Sequence, residues 1–208
     1  TDTEIIAADG DINVQARSKS QIDALAYSGA LAGSRGNGLS VSLAGAGSQA
    51  SNEVRQDVIV SVEGTSALTT TASGDIDVGA TNKNEVLADA GGVSVALALG
   101  LAANSATSGA VGSGVATNNV GSTSNLSSTS VLIGDDVKLD ANDALSLTAT
   151  EKLTVEALGI GGAVAFASSA NAVAFGGSSG VATNEVYTET HVEYGDDDGA
   201  AGAGELTS

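Results

Sequence analysis

The chain has 208 residues, with 7 basic and 25 acidic side chains and a formal net charge of -18 at pH 7. This balance excludes nucleic-acid binding, which relies on Lys and Arg to neutralise phosphates, and it disfavours an anionic membrane surface. The chain contains no Cys, Trp, Met or Pro but 28 Gly, which excludes disulfides and a thiol nucleophile. Such small side chains suit a thin, layered interior better than a bulky globular core.

Three copies of one unit follow each other along the chain. Each copy opens on an acidic turn and an alternating strand, at residues 10–14, 74–78 and 143–147. An Ala-x-x-Lys-x-x-(Ile/Val) motif comes next and contributes Lys19, Lys83 and Lys152. Because catalysis needs one such lysine and not three, this recurrence indicates a repeated surface position.

A block of small residues follows in each copy, with larger apolar residues at every second position. Period-two alternation is the signal of a β-strand. The larger residues are Leu39, Val41 and Leu43 in the first copy, Val93, Val95, Leu97, Leu99 and Leu101 in the second, and Val164 and Phe166 in the third. Those of the second copy are predicted to point into the core.

The strongest repeat signal is an Ala-(Ser/Thr)-Asn-x-Val motif whose asparagines, Asn52, Asn118 and Asn184, recur at intervals of 66 residues. A last strand follows it at 58–62, 131–133 and 192–194. Self-similarity at a fixed period marks a repeat architecture. Residues 1–208 are thus predicted to form one repetitive unit, with repeats at approximately 10–73, 74–141 and 142–203 and a fourth begun at 204–208.

The predicted fold is all-β, a right-handed parallel β-helix (β-solenoid) with about three coils per 66-residue repeat; the alternative is a β-sandwich. Nine coils at about 4.8 Å each would form a rod of roughly 45 Å. Three coils apart, Asn52, Asn118 and Asn184 would stand roughly 14 Å from each other and could not touch. Each is therefore predicted to anchor a local turn.

Few residues offer catalytic or metal chemistry. His191 is the only histidine, and its alternating polar surroundings predict a solvent-facing strand residue. The acidic turns match no standard calcium loop, and Asp196, Asp197 and Asp198 are the best candidates for a Ca²⁺ site. Polysaccharide lyases and glycosidases need paired acids and aromatic platforms, which are scarce here. We therefore predict no enzymatic activity and no cofactor, with calcium as the one ion in question.

The Gly-Asp-Ile-x-Val turns, the small-residue block at 92–100 and the motif at 114–120 together resemble the tandem repeats of very large bacterial extracellular adhesins and filamentous-haemagglutinin-like surface proteins. This resemblance spans nearly the whole chain. It implies a right-handed parallel β-helix, an extracellular location at the bacterial cell surface, and a role as a stalk, adhesin body or matrix fibre, including a biofilm matrix. It implies no catalytic residues.

The expected partners are other copies of the chain stacked end to end or flanking repeats of the same long chain, and surface polysaccharide is a further candidate. We expect no nucleic-acid partner and no membrane insertion. Neither chain end shows a polar capping element, which favours an excerpt of a longer rod or a stacking subunit. The alternative function is a carbohydrate- or calcium-binding adhesion module. Binding groups repeated on one face would favour that alternative, whereas scattered acidic turns favour a spacer.

Overall fold

The computed structural model describes residues 3–101, 105–195 and 205–207. All regular secondary structure within these residues is β-strand. The described part of the chain contains no helix that could cross a membrane. The strands are β1 (Glu4–Ala7), β2 (Ile12–Gly36), β3 (Ser40–Val54), β4 (Asp57–Val62), β5 (Ala67–Thr70), β6 (Ile76–Gly100), β7 (Ser105–Val120), β8 (Ser127–Ile133), β9 (Lys138–Asp140), β10 (Leu145–Ser168), β11 (Asn171–Val186), β12 (Thr188–Tyr194) and β13 (Glu205–Thr207).

The strands form four parallel sheets, ordered β1-β5-β9-β13 (sheet A), β2-β6-β10 (sheet B), β3-β7-β11 (sheet C) and β4-β8-β12 (sheet D). Each sheet takes one strand from each successive repeat. The predicted all-β, parallel-strand character is confirmed.

The register confirms the predicted equivalence of the motifs. Lys19 pairs with Lys83 and Lys83 with Lys152, and Asn52 pairs with Asn118 and Asn118 with Asn184. Residues one repeat apart are therefore direct neighbours, and each repeat forms a single layer. The prediction of three coils per repeat is wrong, because equivalent residues of consecutive repeats pair directly. Single strands are also longer than a coil of about 22 residues would allow; β2 alone has 25 residues. The three layers span roughly 14 Å along the stacking axis.

The last strand also differs from prediction. Residues 204–208 were expected to open a fourth repeat, in the manner of residues 10–14. Instead Glu205 pairs with Lys138 and Leu206 with Leu139 in sheet A, where the strands that close each layer lie. The strand β13 is thus equivalent to β1, β5 and β9.

The interior has two regions of different thickness. In the first, which we call the body, sheets A and D and the beginning of sheet B enclose a core of larger aliphatic side chains. Its fully buried members are Ile76, Val78, Val131, Ile133, Val137 and Leu139.

The second region, which we call the arm, consists of the remainder of sheet B (residues 24–36, 88–100 and 157–168) and most of sheet C (40–50, 106–116 and 172–182). The two sheets face each other through Ala, Gly and Ser, and Ala96, Ala98 and Ala110 are fully buried there. A Cβ added to Gly112 would lie 2.0 Å from the carbonyl oxygen of Gly162. The backbones of the two sheets are therefore almost in contact.

This close approach reverses the predicted orientation of the larger residues. Val93 is 52% exposed and Leu97 37% exposed, whereas Ser94, between them and facing inward, is fully buried. Leu39, Val41, Leu43, Leu101, Val164 and Phe166 are likewise exposed, and Val95 and Leu99 are only half-buried. The prediction that Val93, Val95, Leu97, Leu99 and Leu101 point into the core is wrong, because the sheets of the arm lie too close together to enclose a side chain larger than Ala or Ser.

The thin arm leads to a first prediction. In the Gly112→Ala variant the new methyl group would meet the carbonyl oxygens of Gly162 and Gly92 at 2.0 and 2.6 Å, so we expect destabilisation of about 3 kcal/mol, the upper range of overpacking. The control is Gly45→Ala in the same sheet, where an added Cβ meets nothing within 4 Å. Thermal unfolding followed by circular dichroism measures both; equal stability of the two variants would contradict direct contact between the sheets.

Candidate functional site

Three asparagines form a continuous ladder through the layers. Asn52 Nδ2 donates to Asn118 Oδ1 at 2.9 Å, and Asn118 Nδ2 donates to Asn184 Oδ1 at 3.0 Å. The expected separation of roughly 14 Å is therefore wrong, because it assumed two coils between consecutive asparagines. Their assignment as isolated turn anchors fails for the same reason.

The ladder also joins sheet C to sheet B. Asn52 Nδ2 donates to the carbonyl oxygen of Leu87 at 2.5 Å, and Asn118 Nδ2 donates to that of Glu156 at 2.6 Å. Asn118 is fully buried, and a buried amide is stable only when its polar atoms are bonded. The recurrence of Asn at this one position thus has a structural cause that depends on direct stacking.

The acidic turns at the start of each repeat form a second connection between layers. The Asp75 N–H donates to Asp11 Oδ1 at 2.9 Å, and the Ala144 N–H donates to Asp75 Oδ1 at 3.0 Å. Gly74 precedes this turn with a φ of 144°, which Gly adopts readily. The carboxylates of the Gly-Asp motif therefore bind backbone amides of the next layer.

The proposed calcium ligands Asp196, Asp197 and Asp198 lie outside the described residues. Among the described residues, Glu63, Asp135, Asp136 and Glu193 line an open cleft of about 440 Å³. Among the residues that the structure describes, no group of three or more His, Cys, Asp or Glu side chains could hold a metal ion.

Lys19, Lys83 and Lys152 form an exposed row across the outer face of sheet B, which confirms a repeated surface position. Arg17 lies two residues from Lys19 on the same face, so four of the seven basic residues of the chain are gathered there. Adjacent ammonium groups stand on strands about 4.8 Å apart. A shallow cleft along the row also includes Gln21 and Thr154.

His191 lies on sheet D between two carboxylates. Its Nδ1 is 3.7 Å from Glu189 Oε1, and its Nε2 is 3.9 Å from Glu193 Oε2. The side chain is 36% exposed. Both of these contacts are therefore to Glu residues of the same strand.

A polar row that was not predicted from the sequence lies inside the body. Ser18, Asn82 and Glu151 pair in register, and they face inward at positions that hydrophobic patterning assigns to the core. Asn82 is fully buried. Glu151 accepts a hydrogen bond from Thr190 Oγ1 at 3.2 Å. The sequence did contain a signal for this row. Glu151 is adjacent to Lys152, which is exposed, so the alternation of side chains along a strand places Glu151 on the inward side.

Burial changes the acidity of this carboxylate. Desolvation raises the pKa of Glu151 above its ordinary value, and hydrogen bonds from Thr190 and Thr188 oppose that increase. Glu151 Oε1 has no hydrogen-bond partner among the described residues. Protonation of Glu151 is therefore more favourable in the folded chain than it is for a fully solvated carboxyl.

Comparison with protein-family models, with curated proteins and with solved structures finds no match to this chain. The function is therefore inferred from the geometry of the described residues. That geometry consists of repeated groups, each bonded or aligned with its counterpart in the next layer.

The raised pKa of Glu151 gives a prediction with a definite sign. A folded-state pKa above the unfolded value means that the folded chain binds more protons, so the contribution of this group to stability is present at low pH and is lost as the pH rises through the folded pKa. We expect the Glu151→Gln variant to gain melting temperature relative to wild type between about pH 4 and about pH 7.

The measurement is thermal unfolding of both proteins over that pH range, with the exposed Glu53→Gln as a control that removes the same charge. The control should show a smaller change. A Glu151→Gln variant that is less stable than wild type at neutral pH would show that the bonds to Thr190 and Thr188 outweigh desolvation.

Proposed function

We propose that this chain is a structural repeat protein of the bacterial cell surface or extracellular matrix, which builds a fibre from stacked layers in a right-handed parallel β-solenoid and has no catalytic role. The observation that carries this proposal is the asparagine ladder, in which a side chain of each repeat bonds to its counterpart one repeat away. Bonds of this kind join any number of identical layers.

The hydrogen bonds formed by the repeated polar groups support a structural role. Asp11 and Asp75 accept hydrogen bonds from the backbone of the following layer, and Asn52 and Asn118 join sheet C to sheet B. Groups engaged in this way stabilise stacking. The resemblance to large bacterial adhesin repeats supports the extracellular location.

Among the described residues, the strands of both outer layers in sheets B and C pair along one edge only. In sheets B and C the layer of β2 and β3 lies at one side of the stack, and the layer of β10 and β11 lies at the other. Free strand edges are templates for further strands. We infer that flanking repeats or other copies of the chain continue the stack there in the same register.

The layer geometry favours a broad fibre over a long stalk. One repeat of 66 residues advances the axis by only about 4.8 Å, while its longest strand extends for roughly 80 Å. The axial length gained per residue is therefore small, which is unfavourable for a long stalk. The width of each layer is large, which favours a fibre with a wide, continuous surface.

The second candidate function, a carbohydrate-binding adhesion module, is favoured by the row of Lys19, Lys83 and Lys152. This row is a linear array of identical groups on one face, and a linear acidic polysaccharide would lie along it with one carboxylate per layer. Calcium binding would depend on Asp196, Asp197 and Asp198, and stays a prediction.

Stacking is tested at the outermost asparagine. In an Asn184→Asp variant the carboxylate still accepts the bond from Asn118 Nδ2, but it cannot donate an N–H to a further layer. We expect the variant to remain folded and to lose the fibres that wild type forms at high concentration, which electron microscopy and an axial spacing of about 4.8 Å would show.

Thr183→Asp, which adds the same charge to the neighbouring exposed position, serves as the control and should still form fibres. Wild-type protein that stays as separate particles at every concentration would refute stacking of copies. Fibres in the Asn184→Asp variant would refute the role of the ladder in joining them.

Polysaccharide binding is tested by calorimetry with polygalacturonate, a linear polymer with one carboxylate per sugar. Lys83→Gln removes the middle of the row and should weaken binding about fivefold, since Lys19 and Lys152 are then separated by two strand spacings. Lys138→Gln in sheet A is the control, and added salt should weaken wild-type binding. Equal losses in both variants would indicate a nonspecific charge effect.

A further inference from the structure

The outer face of sheet B in the arm is apolar. Its outward side chains include Leu25, Tyr27 and Leu31, which are 64%, 63% and 82% exposed, and those of β6 and β10 continue the same surface. We call this surface the B face. Its remaining exposed large apolar members are Val93, Leu97, Leu158, Ile160, Val164 and Phe166.

The register of the strands makes the B face continuous. Leu31, Val95 and Val164 form one column across the three layers. Elsewhere a large residue covers a glycine of its neighbour, since Tyr27 lies over Gly91 and a Cβ on Gly91 would approach the ring to 2.5 Å. The columns thus form one packed apolar sheet surface.

The B face carries few charged residues although the chain is strongly acidic. The net charge is -18, yet the outward positions of sheet B between 25–35, 89–99 and 158–168 include only two charged residues, Asp89 and Arg35. These two lie at opposite ends of the B face. Apolar patches of this extent on a soluble surface mark interaction sites.

We propose that the B face is the contact through which a second copy of this chain packs, arm against arm, with the strands of the two copies antiparallel. A two-fold axis parallel to the stacking axis reverses the strand direction. It therefore brings Asp89 of each copy to the end of the face where the other copy carries Arg35. The opposite choice, with strands parallel, would place like charges together.

The area of the B face matches this occupant. About eleven residues along each of three strands cover roughly 36 Å by 14 Å, or about 500 Å² on each copy. The pair would bury about 1,000 Å² in total, which is the lower bound for a specific interface. Each further repeat would enlarge the contact, so the association would strengthen with the number of layers.

A lipid surface fits the same face poorly. The outer strands β2 and β10 have free backbone edges beside the B face, and unpaired backbone groups are costly in hydrocarbon. A second copy covers the apolar side chains and leaves those edges in water. The contact uses the outer face of sheet B, so it is separate from end-to-end stacking, which uses the strand edges.

The experiment measures mass by analytical ultracentrifugation in the Asn184→Asp background, which suppresses end-to-end stacking, and in wild type at low concentration. We expect a concentration-dependent dimer. Val95→Glu combined with Val164→Glu places charges in the centre of the B face and should yield monomers with unchanged circular dichroism. Val111→Glu combined with Val173→Glu, on the outer face of sheet C, is the matched control and should leave the dimer intact.

A second measurement uses a disulfide crosslink and so introduces no charge into the B face. Because the chain has no cysteine, an introduced Cys is its single thiol. Val95→Cys lies near the proposed axis and should form a disulfide-linked dimer on oxidation. Lys83→Cys lies on the same outer face of the same strand, roughly 40 Å away, and should not.

Monomeric wild type, a dimer lost only through the sheet C variant, or equal crosslinking at both cysteines would overturn the proposal. Phosphatidylcholine vesicles provide the remaining comparison. A protein that is monomeric in solution but floats with vesicles, and loses this through Val95→Glu and Val164→Glu, would assign the B face to lipid.

Discussion

The structure depends on the parallel hydrogen-bonded ladder between one repeat and the next. Because each residue of sheet C pairs with the residue 66 positions further along, every feature of the repeat is copied at the spacing of adjacent strands. Identical side chains then meet identical side chains, which is favourable for Asn, since an amide both donates and accepts, and unfavourable for Lys, since like charges repel. This explains why Asn occupies the buried position and Lys the exposed one.

The thinness of the arm follows from the same ladder together with composition. Two sheets that meet through Ala, Gly and Ser lie closer than sheets separated by larger side chains, and their backbones then exclude any larger residue. The apolar surface that an ordinary sandwich would bury between its sheets is instead displayed outside, at Leu31, Val93 and Phe166. Hydrophobic stabilisation is concentrated in the body, where Ile76, Val131 and Leu139 are buried. The arm gains its stability from backbone hydrogen bonds and close contact.

Sequence reasoning could predict the parts of this fold that depend on periodicity. The alternation of residues identified strands, and the recurrence of Lys19, Lys83 and Lys152 identified equivalent positions that pair in the structure. It could not predict the length of a strand such as β6, because Gly91 and Gly92 look like a turn although they lie within it. The predicted orientation of the alternating residues in the arm was also wrong. When both alternating sets lack charge, as with Val93, Val95 and Leu97 against Ser94, Ala96 and Ala98, the rule that larger apolar residues are buried favours the wrong set, and only the distance between sheets decides. The asparagine ladder was missed for a different reason, since three coils per repeat would have placed two further coils between consecutive asparagines.

The orientation of the ladder amides has a consequence for any larger assembly. Both amides donate toward the C-terminal repeats, from Asn52 to Asn118 and from Asn118 to Asn184, so the stack is vectorial and its two ends are chemically distinct. A head-to-head junction would oppose two acceptors or two donors, and only head-to-tail growth would preserve the sequence of bonds. A lateral pair related by an axis along the stack would keep both members pointing the same way. A fibre built by these two contacts would be polar throughout, with one end able to be anchored and the other able to face outward.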